Sequence, residues 1–582
     1  MGLITNEWKN DVERDLYLRK VALGEIEGEQ TGYPSIDKPW LKYYSEEHIK
    51  AEIPHMTAYE YLKKLNANRL ELNAIDSEAG DYTYAELFAM IDKTAASLYK
   101  LGIEKGKIVL SMFPVLPHES FLFYGVDAVG AAMCQLPPQA IAEDVCNAIK
   151  KFDAELFFVF DYLLTPEMEK TIYQNTNIKN IVDVCFTPLQ GRDERTLSWE
   201  EFLELGNGLE LPLIERSSKD LLFMASTGGS TGEPKSVMLN DDCFNIAVHQ
   251  YVNSALDYQE GDRWLRLWPI FSATAAVSNN HLPLCAGLNN VIRQFPMDIT
   301  RFDKILIEEK AEHLLLIPQL LDVLEQSKLL ETKDLSFVKT VGCGGLSITS
   351  QFEKRVYVFF EQHNIDTFLG YGWGCTENST SAAMRSNYNT TLVGTVGAPL
   401  VKTIVSVFDP DDMSEKKYNE EGELCISSPT IMMGYYGEEE LSQKVIQVHP
   451  DGSIWLHTGD LGAMDENGII TVKGRMTRML FVFPMAKLYP QSLESTISKV
   501  SGVREVVICG MPDLEHDGFQ IPVCYIVPEK NCSAETVTNN VLEFCQINFP
   551  EHARPKHIYT REAMPLTKVG KPDIKMLEAE LV

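Results

Sequence analysis

Thr227-Gly-Gly-Ser-Thr-Gly-Glu-Pro-Lys235 follows the apolar run Asp220-Leu-Leu-Phe-Met-Ala225, which is short enough to be a buried strand. Glycines that can turn N–H groups inward, hydroxyls beside them and a closing lysine have the composition of a phosphate cradle. The stretch nearly spells a Walker A loop, but Pro234 stands where the last glycine of G-x-x-x-x-G-K-S belongs. Proline has no N–H and a fixed φ, so it cannot donate to a phosphate there. This argues against a P-loop NTPase. A flexible Gly/Ser/Thr linker is the alternative, yet linkers are rarely wedged between one apolar run and a second, here Ser236-Val-Met-Leu239.

Outward from this loop, strand and helix patterns alternate. Ile108-Val-Leu-Ser-Met-Phe113 and Glu155-Leu-Phe-Phe-Val-Phe160 read as buried strands, with a largely apolar helix over Phe121 to Ala132 between them. Thr57-Ala-Tyr-Glu60 and Thr83-Tyr-Ala-Glu86 are capping boxes, each opening a helix. The alternation predicts a layered α/β domain with mainly parallel strands. Residues 1 to about 50 read as polar, irregular chain wrapped on its surface.

Glycine turns recur further on. Val341-Gly-Cys-Gly-Gly345-Leu346 is a strand followed by a turn, and Glu312 to Ile317 is a strand running into a helix at Pro318. In Leu369-Gly-Tyr-Gly-Trp373-Gly-Cys-Thr376-Glu377 an aromatic sits among glycines, where it can offer a face to a flat base; threonine can donate to a phosphate and glutamate can hold magnesium. Core packing of Trp373 is an even alternative. Trp455-Leu-His-Thr-Gly-Asp460 and Gly474-Arg475 follow. After Arg475 the pattern restarts. Strands at Val503–Ile508 and Gln520–Ile526 and a helix over Ser533 to Phe544 predict a compact α+β unit of about a hundred residues, ending in Pro565-Leu-Thr567-Lys-Val-Gly570-Lys571.

Taken together, these motifs resemble the AMP-forming adenylating enzymes, a superfamily of acyl-CoA synthetases, peptide-synthetase adenylation domains and luciferases. The loop at Thr227 resembles the family's phosphate loop. Gly372-Trp-Gly-Cys-Thr-Glu377 resembles its G-Y-G-x-T-E with Trp for Tyr. Gly394-Thr-Val-Gly-Ala-Pro399 and Gly422-Glu-Leu424 resemble further signposts, and the closing stretch matches P-x-T-x-x-G-K. The likeness spans Tyr84 to Lys571. It is most like an acyl-CoA synthetase, and it implies a large N-terminal domain, residues 1–475, and a small mobile C-terminal domain, residues 476–582.

The resemblance implies that a carboxylate attacks the α-phosphate of ATP, pyrophosphate leaves, and the acyl-AMP reacts with a thiol. It assigns nucleotide contacts to Thr227, Gly228, Gly229, Ser230, Thr231, Gly232 and Lys235; to Gly344, Gly345 and Leu346; to Gly372, Trp373, Gly374 and Thr376; and to Asp460, Arg475 and Lys571. Asp460 and Arg475 would serve the ribose. Thr227, Lys235, Glu377 and Lys571 would carry catalysis, Glu377 and Thr231 the magnesium, and Ser272, Cys343 and Gly344 the acid pocket. Three positions depart from the family. The hinge, usually Asp or Lys, is Arg478. Met476 to Ser501 holds no glycine, where the family has one for the pantetheine arm. Ser272 replaces a common gating histidine and also the aspartate of the amino-acid-activating branch, which disfavours an α-amino acid.

The 582 residues carry a formal charge of −31, with 45% hydrophobic and 23% charged residues. Such a surface repels nucleic acid and anionic membrane. No leader peptide or bilayer-spanning run is read, and the twelve cysteines form no C-x-x-C, so a reducing cytoplasm is expected. ATP, magnesium and CoA are the expected small-molecule partners of a carboxylic acid. A carrier protein acylated in trans is the alternative acceptor, since no carrier sequence follows Lys571.

Overall fold

The computed structural model describes residues 10–581 apart from 186–190, 227–234, 255, 294–298, 346–347, 387–393, 485, 517 and 568–570. Both capping boxes form: Thr57 and Glu60, and Thr83 and Glu86, exchange side-chain-to-backbone bonds. The second opens the helix Tyr84–Lys100, which buries Tyr84, Leu87, Ile91, Ala95 and Leu98 along one stripe. It lies against the helix Pro117–Ala128, where a Cβ on Gly125 would stand 2.8 Å from Thr94 Cγ2. That helix begins and ends four residues earlier than the sequence suggested. Gly130, at φ +73°, turns the chain, and Ala132–Gln135 becomes a strand. A continuous apolar run does not mark that change by itself.

Among the described residues two large sheets are parallel at heart and antiparallel at their margins, as the alternating pattern predicted. The eight-stranded sheet carries Leu221–Ser226 beside Ala132–Gln135 in parallel. Ser236–Asn240 then returns antiparallel, so Ser226 pairs with Ser236. The nine-stranded sheet runs Arg263–Arg266, His313–Leu315, Thr340–Cys343 and Leu369–Gly374 as parallel neighbours. Apolar side chains between and around these layers form the main core.

A third, antiparallel sheet holds Ile404–Phe408, Gly422–Ser427, Ile446–Val448, Ile454–Met464 and Ile470–Arg475. Here the N-terminal segment departs from the expectation of irregular surface chain. Asp11–Ala22 is a helix capped by Asn10, and Trp40, Leu41 and Tyr44 are buried in the core of the third sheet. Trp40 approaches so closely that a Cβ on Gly468 would stand 2.9 Å from its backbone nitrogen. Aromatic anchors in a polar segment outweigh its average composition.

After Arg475 a 3-10 turn, Met476–Arg478, leads to a hairpin of Leu480–Val482 and Ala486–Leu488. A three-stranded sheet follows: Val503–Pro512, Gln520–Pro528 and His557–Thr560. The helix Ala534–Asn548, capped by Ser533, covers it. Arg478 is tied within this small unit, donating to Glu494 at 2.6 Å and to the Ile508 carbonyl at 3.0 Å.

Candidate active site

Ligands of open α/β sheets bind beyond the carboxyl ends of parallel strands. Four glycine-bearing or turn segments leave such ends here: residues 227–234 after Ser226, Trp268–Ser272 after Arg266, Gly344-Gly345 after Cys343, and Cys375–Glu377 after Gly374. A Cβ on Gly344 would meet nothing nearer than the Gly372 carbonyl at 3.7 Å, and one on Gly345, at φ +75°, would meet nothing within 4 Å. These two glycines leave their backbone accessible. Gly372 and Gly374 serve differently. A Cβ on Gly374 would stand 2.0 Å from the Thr380 carbonyl, and one on Gly372 2.6 Å from Ser381 Oγ, so both are there for the antiparallel neighbour strand.

Trp373, on the same strand, is buried at 8% exposure among Ala382, Ala383 and Val396. Its indole N–H donates to Asp460 Oδ2 at 2.9 Å. Asp460 and Arg475 are cross-strand partners in the third sheet, and Arg475 Nε meets Asp460 Oδ1 at 2.7 Å. Both carboxylate oxygens are thus held. Burial raises the pKa of Asp460, while Arg475, the Trp373 N–H and Lys571 oppose the rise. Arg475 lies above its ordinary value: burial lowers it, but Asp460, Cys375 and Glu377 outweigh that.

Glu377 is half-buried on a 3-10 turn, Thr376–Asn378. Its carbonyl accepts from Met432 N–H at 2.8 Å, and its Oε1 accepts from the Tyr435 hydroxyl at 2.7 Å. The Lys235 ammonium stands 5.0 Å from the centre of the Tyr435 ring. Tyr435 was absent from the sequence-predicted residues. It lies on Gly434–Tyr435, which pairs antiparallel with Ser236–Asn240, the strand that follows residues 227–235. Only that pairing, formed across some two hundred residues, brings it to Glu377, and no local signal marks it.

Lys571 comes from the small unit. Thr567 N–H donates to the Lys571 carbonyl at 2.7 Å, and Lys571 N–H donates to Thr567 Oγ1 at 3.2 Å. The residue keeps exposed surface, but its ammonium end is crowded. Burial and then Arg475 lower its pKa, against the pull of Asp460, Glu377 and Cys375. Lys571, Asp460, Arg475, Glu377, Trp373, Tyr435 and Lys235 are therefore gathered in one neighbourhood. Two acid-pocket candidates have structural work. Ser272 Oγ caps the helix Ala273–Ala275, accepting from Ala275 N–H at 3.3 Å. Cys343 is buried in the apolar core, and that burial pushes its thiol up to about 12. Thr227, Gly228, Gly229, Ser230, Thr231, Gly232 and Leu346 lie outside the described residues.

The model for the AMP-binding enzyme family matches residues 63–436, and that for the AMP-binding enzyme C-terminal domain matches residues 492–571. The chain belongs to the AMP-binding enzyme family. It is an enzyme of the AMP-forming acyl-CoA ligase type. Among its relatives, 4-coumarate:CoA ligase 1 of Petunia hybrida is 24% identical over 545 residues, covering 92% of this chain and 95% of that one. The long-chain-fatty-acid–CoA ligase of Salmonella typhimurium is 24% identical over 493 residues, covering 81% and 85%. The crystal structure of the anthranilate CoA ligase AuaEII in complex with anthranoyl-AMP superposes with a TM-score of 0.79 at 20% identity, covering 92% of this chain and 98% of that chain. That likeness establishes the adenylate-forming fold, with a large α/β domain and a small C-terminal one. No helix among the described residues is long and apolar enough to cross a membrane.

Proposed function

We propose that the enzyme condenses a non-amino carboxylic acid with ATP to an acyl-AMP and pyrophosphate, then passes the acyl group to CoA. One observation carries the reading: the small unit delivers Lys571 to the Asp460–Arg475 pair and Glu377. A carboxylate and a triphosphate are both anions, so their reaction needs fixed positive charge and aligned donors. Lys571 supplies charge at the reacting oxygens, Asp460 accepts from the ribose hydroxyls with Arg475 beside it, and Lys235 and the 227–234 loop hold the phosphates. Trp373 faces adenine with whatever ring surface its packing leaves open, while its N–H fixes Asp460.

Glu377 offers a hard carboxylate oxygen, which suits magnesium, and Thr231 would join it. The ion, when bound, neutralises phosphate charge. Tyr435 orients the carboxylate that would hold it.

Adenylation and thiol transfer are assigned to two arrangements of the small unit, turning about Met476–Arg478 with residues 1–475 and 476–582 as the moving parts. The acids named for the relatives, an aromatic and a fatty acid, set the classes to try first. The test is an acid-dependent pyrophosphate-release screen over fatty, aromatic and amino acids, with and without CoA, and mass spectrometry of the products. Acyl-CoA from a non-amino acid is the expected outcome. Acyl-AMP accumulating without acyl-CoA, while an added holo carrier protein is acylated, would move the acceptor to the carrier; release driven by an amino acid alone would overturn the reading.

A further inference from the structure

The third sheet contains a polar cluster on which the proposed reaction makes no demand. Glu423 and Cys425 alternate along one strand and so share a face, and His457 is the cross-strand partner of Cys425. Cys425 Sγ lies 3.5 Å from His457 Nδ1, and that nitrogen lies 2.8 Å from Glu423 Oε2. The sulfur, the imidazole nitrogen and the carboxylate oxygen all fall within 4.8 Å of one another. The pairing shifts between Glu423 and Cys425, where the partner strand carries the extra residues.

We propose that Glu423, Cys425 and His457 form a binding site for a borderline-soft divalent cation of the zinc type. Tetrahedral bonds of ~2.3 Å to sulfur and ~2.0 Å to nitrogen place those two ligand atoms about 3.5 Å apart, the separation observed. The carboxylate needs to draw back by about half an ångström to complete the set. Three protein donors leave one position for solvent. A mixed sulfur, nitrogen and oxygen set does not suit magnesium or calcium, which take oxygen ligands.

The surroundings are those of a built site. Cys425 is fully buried, and Glu423 and the neighbouring His449 are nearly so. His449 Nε2 lies 3.0 Å from His457 Nε2, so once Glu423 draws back from Nδ1 on cation binding, a His457 Nε2–H donated to His449 frees the Nδ1 lone pair for the cation. Glu423 Oε1 accepts from Gly459 N–H at 2.8 Å, which fixes the carboxylate. Phe408 and Trp455 close over the cluster, edge-on to one another with centroids 4.9 Å apart. Each ligand except the thiol thus has an outer partner that orients it.

The test uses full-length protein stripped with a chelator and titrated with cobalt(II). A thiolate-to-cobalt charge-transfer absorption should grow to one equivalent. It should vanish in Cys425→Ser and persist in Cys532→Ser, which alters an exposed cysteine. Equilibrium dialysis with zinc should lose one bound equivalent in Cys425→Ser and in His457→Gln. A folded wild-type protein without the absorption, or an absorption that survives Cys425→Ser, overturns the proposal. If Cys425→Ser fails to fold, X-ray absorption at the zinc edge of the wild type decides: one sulfur among nitrogen and oxygen neighbours supports the site, and no sulfur overturns it.

Discussion

Trp373→Phe removes one N–H and keeps a ring in the same core. In the native protein that N–H donates to Asp460 Oδ2 at 2.9 Å, and Asp460 is only 6% exposed. A buried charged acceptor deprived of a donor costs about 1.5–3 kcal/mol. At ~1.36 kcal/mol per pKa unit, the Asp460 carboxyl should rise by about one to two further units. The sign follows from linkage. Burial already holds the folded carboxyl above its unfolded value, so the native protein loses stability as pH rises from the unfolded pKa to the folded one. The variant, with a higher folded pKa, goes on losing it over a wider interval. The two proteins should therefore converge in acid, where Asp460 is protonated in both, and separate as pH rises. Urea denaturation followed by far-ultraviolet circular dichroism at a series of pH values reads this directly. A gap that stays constant with pH would refute the reasoning, because it would assign the loss to ring packing and none of it to the carboxylate.

Lys571→Ala should lower acid-dependent pyrophosphate release by ~10²–10³ and spare thioester formation from synthetic acyl-AMP; equal loss in both half-reactions of a folded protein would remove the two-arrangement proposal. Glu377→Gln, which keeps its shape opposite Tyr435, should raise the magnesium concentration needed for half-maximal rate, and an unchanged magnesium dependence would take Glu377 out of the metal site. Trp373→Ala should weaken ATP binding by about 1–3 kcal/mol in calorimetry, whereas loss of melting temperature alone would leave Trp373 a core residue. Asp183 is buried, and burial with Asp161 pushes its carboxyl up to about 7, so stability should fall as pH rises from 3.8 toward that value; Asp183→Asn should flatten the slope by up to ~1.4 kcal/mol per pH unit, and an unaltered profile would show that Asp183 titrates normally.

The layered fold was legible because its signals are local. Thr57-Ala-Tyr-Glu60 and Thr83-Tyr-Ala-Glu86 state a cap and its partner within four residues, and alternating apolar runs announce parallel strands. Candidate site residues could be proposed from sequence where a short motif holds the whole chemistry, as at Thr376-Glu377 and from Thr567 to Lys571. What depends on register could not. The Asp460 contact with Trp373 joins strands of two different sheets, the Asp460–Arg475 contact depends on the register of neighbouring strands in the third sheet, and Tyr435 reaches Glu377 only through its pairing with Ser236–Asn240. Trp40 illustrates the same limit, since a polar segment gave no notice of an aromatic seated against Gly468.

Arg475 is at once the partner of Asp460 and the last residue before the turn into the small unit. The chain that connects the two units therefore leaves directly from the proposed ribose contact. Linkage makes that consequential in both directions. If the small unit turns about Met476–Arg478, a nucleotide that draws on the Asp460 oxygens acts on the anchor of the turn, and each orientation of the small unit assigns its own affinity to the nucleotide. One factor governs both effects. A substitution confined to the linker should then register as a change in nucleotide Kd, and nucleotide alone should shift the balance of orientations by the same ratio. The binding site and the hinge would be two readings of one equilibrium.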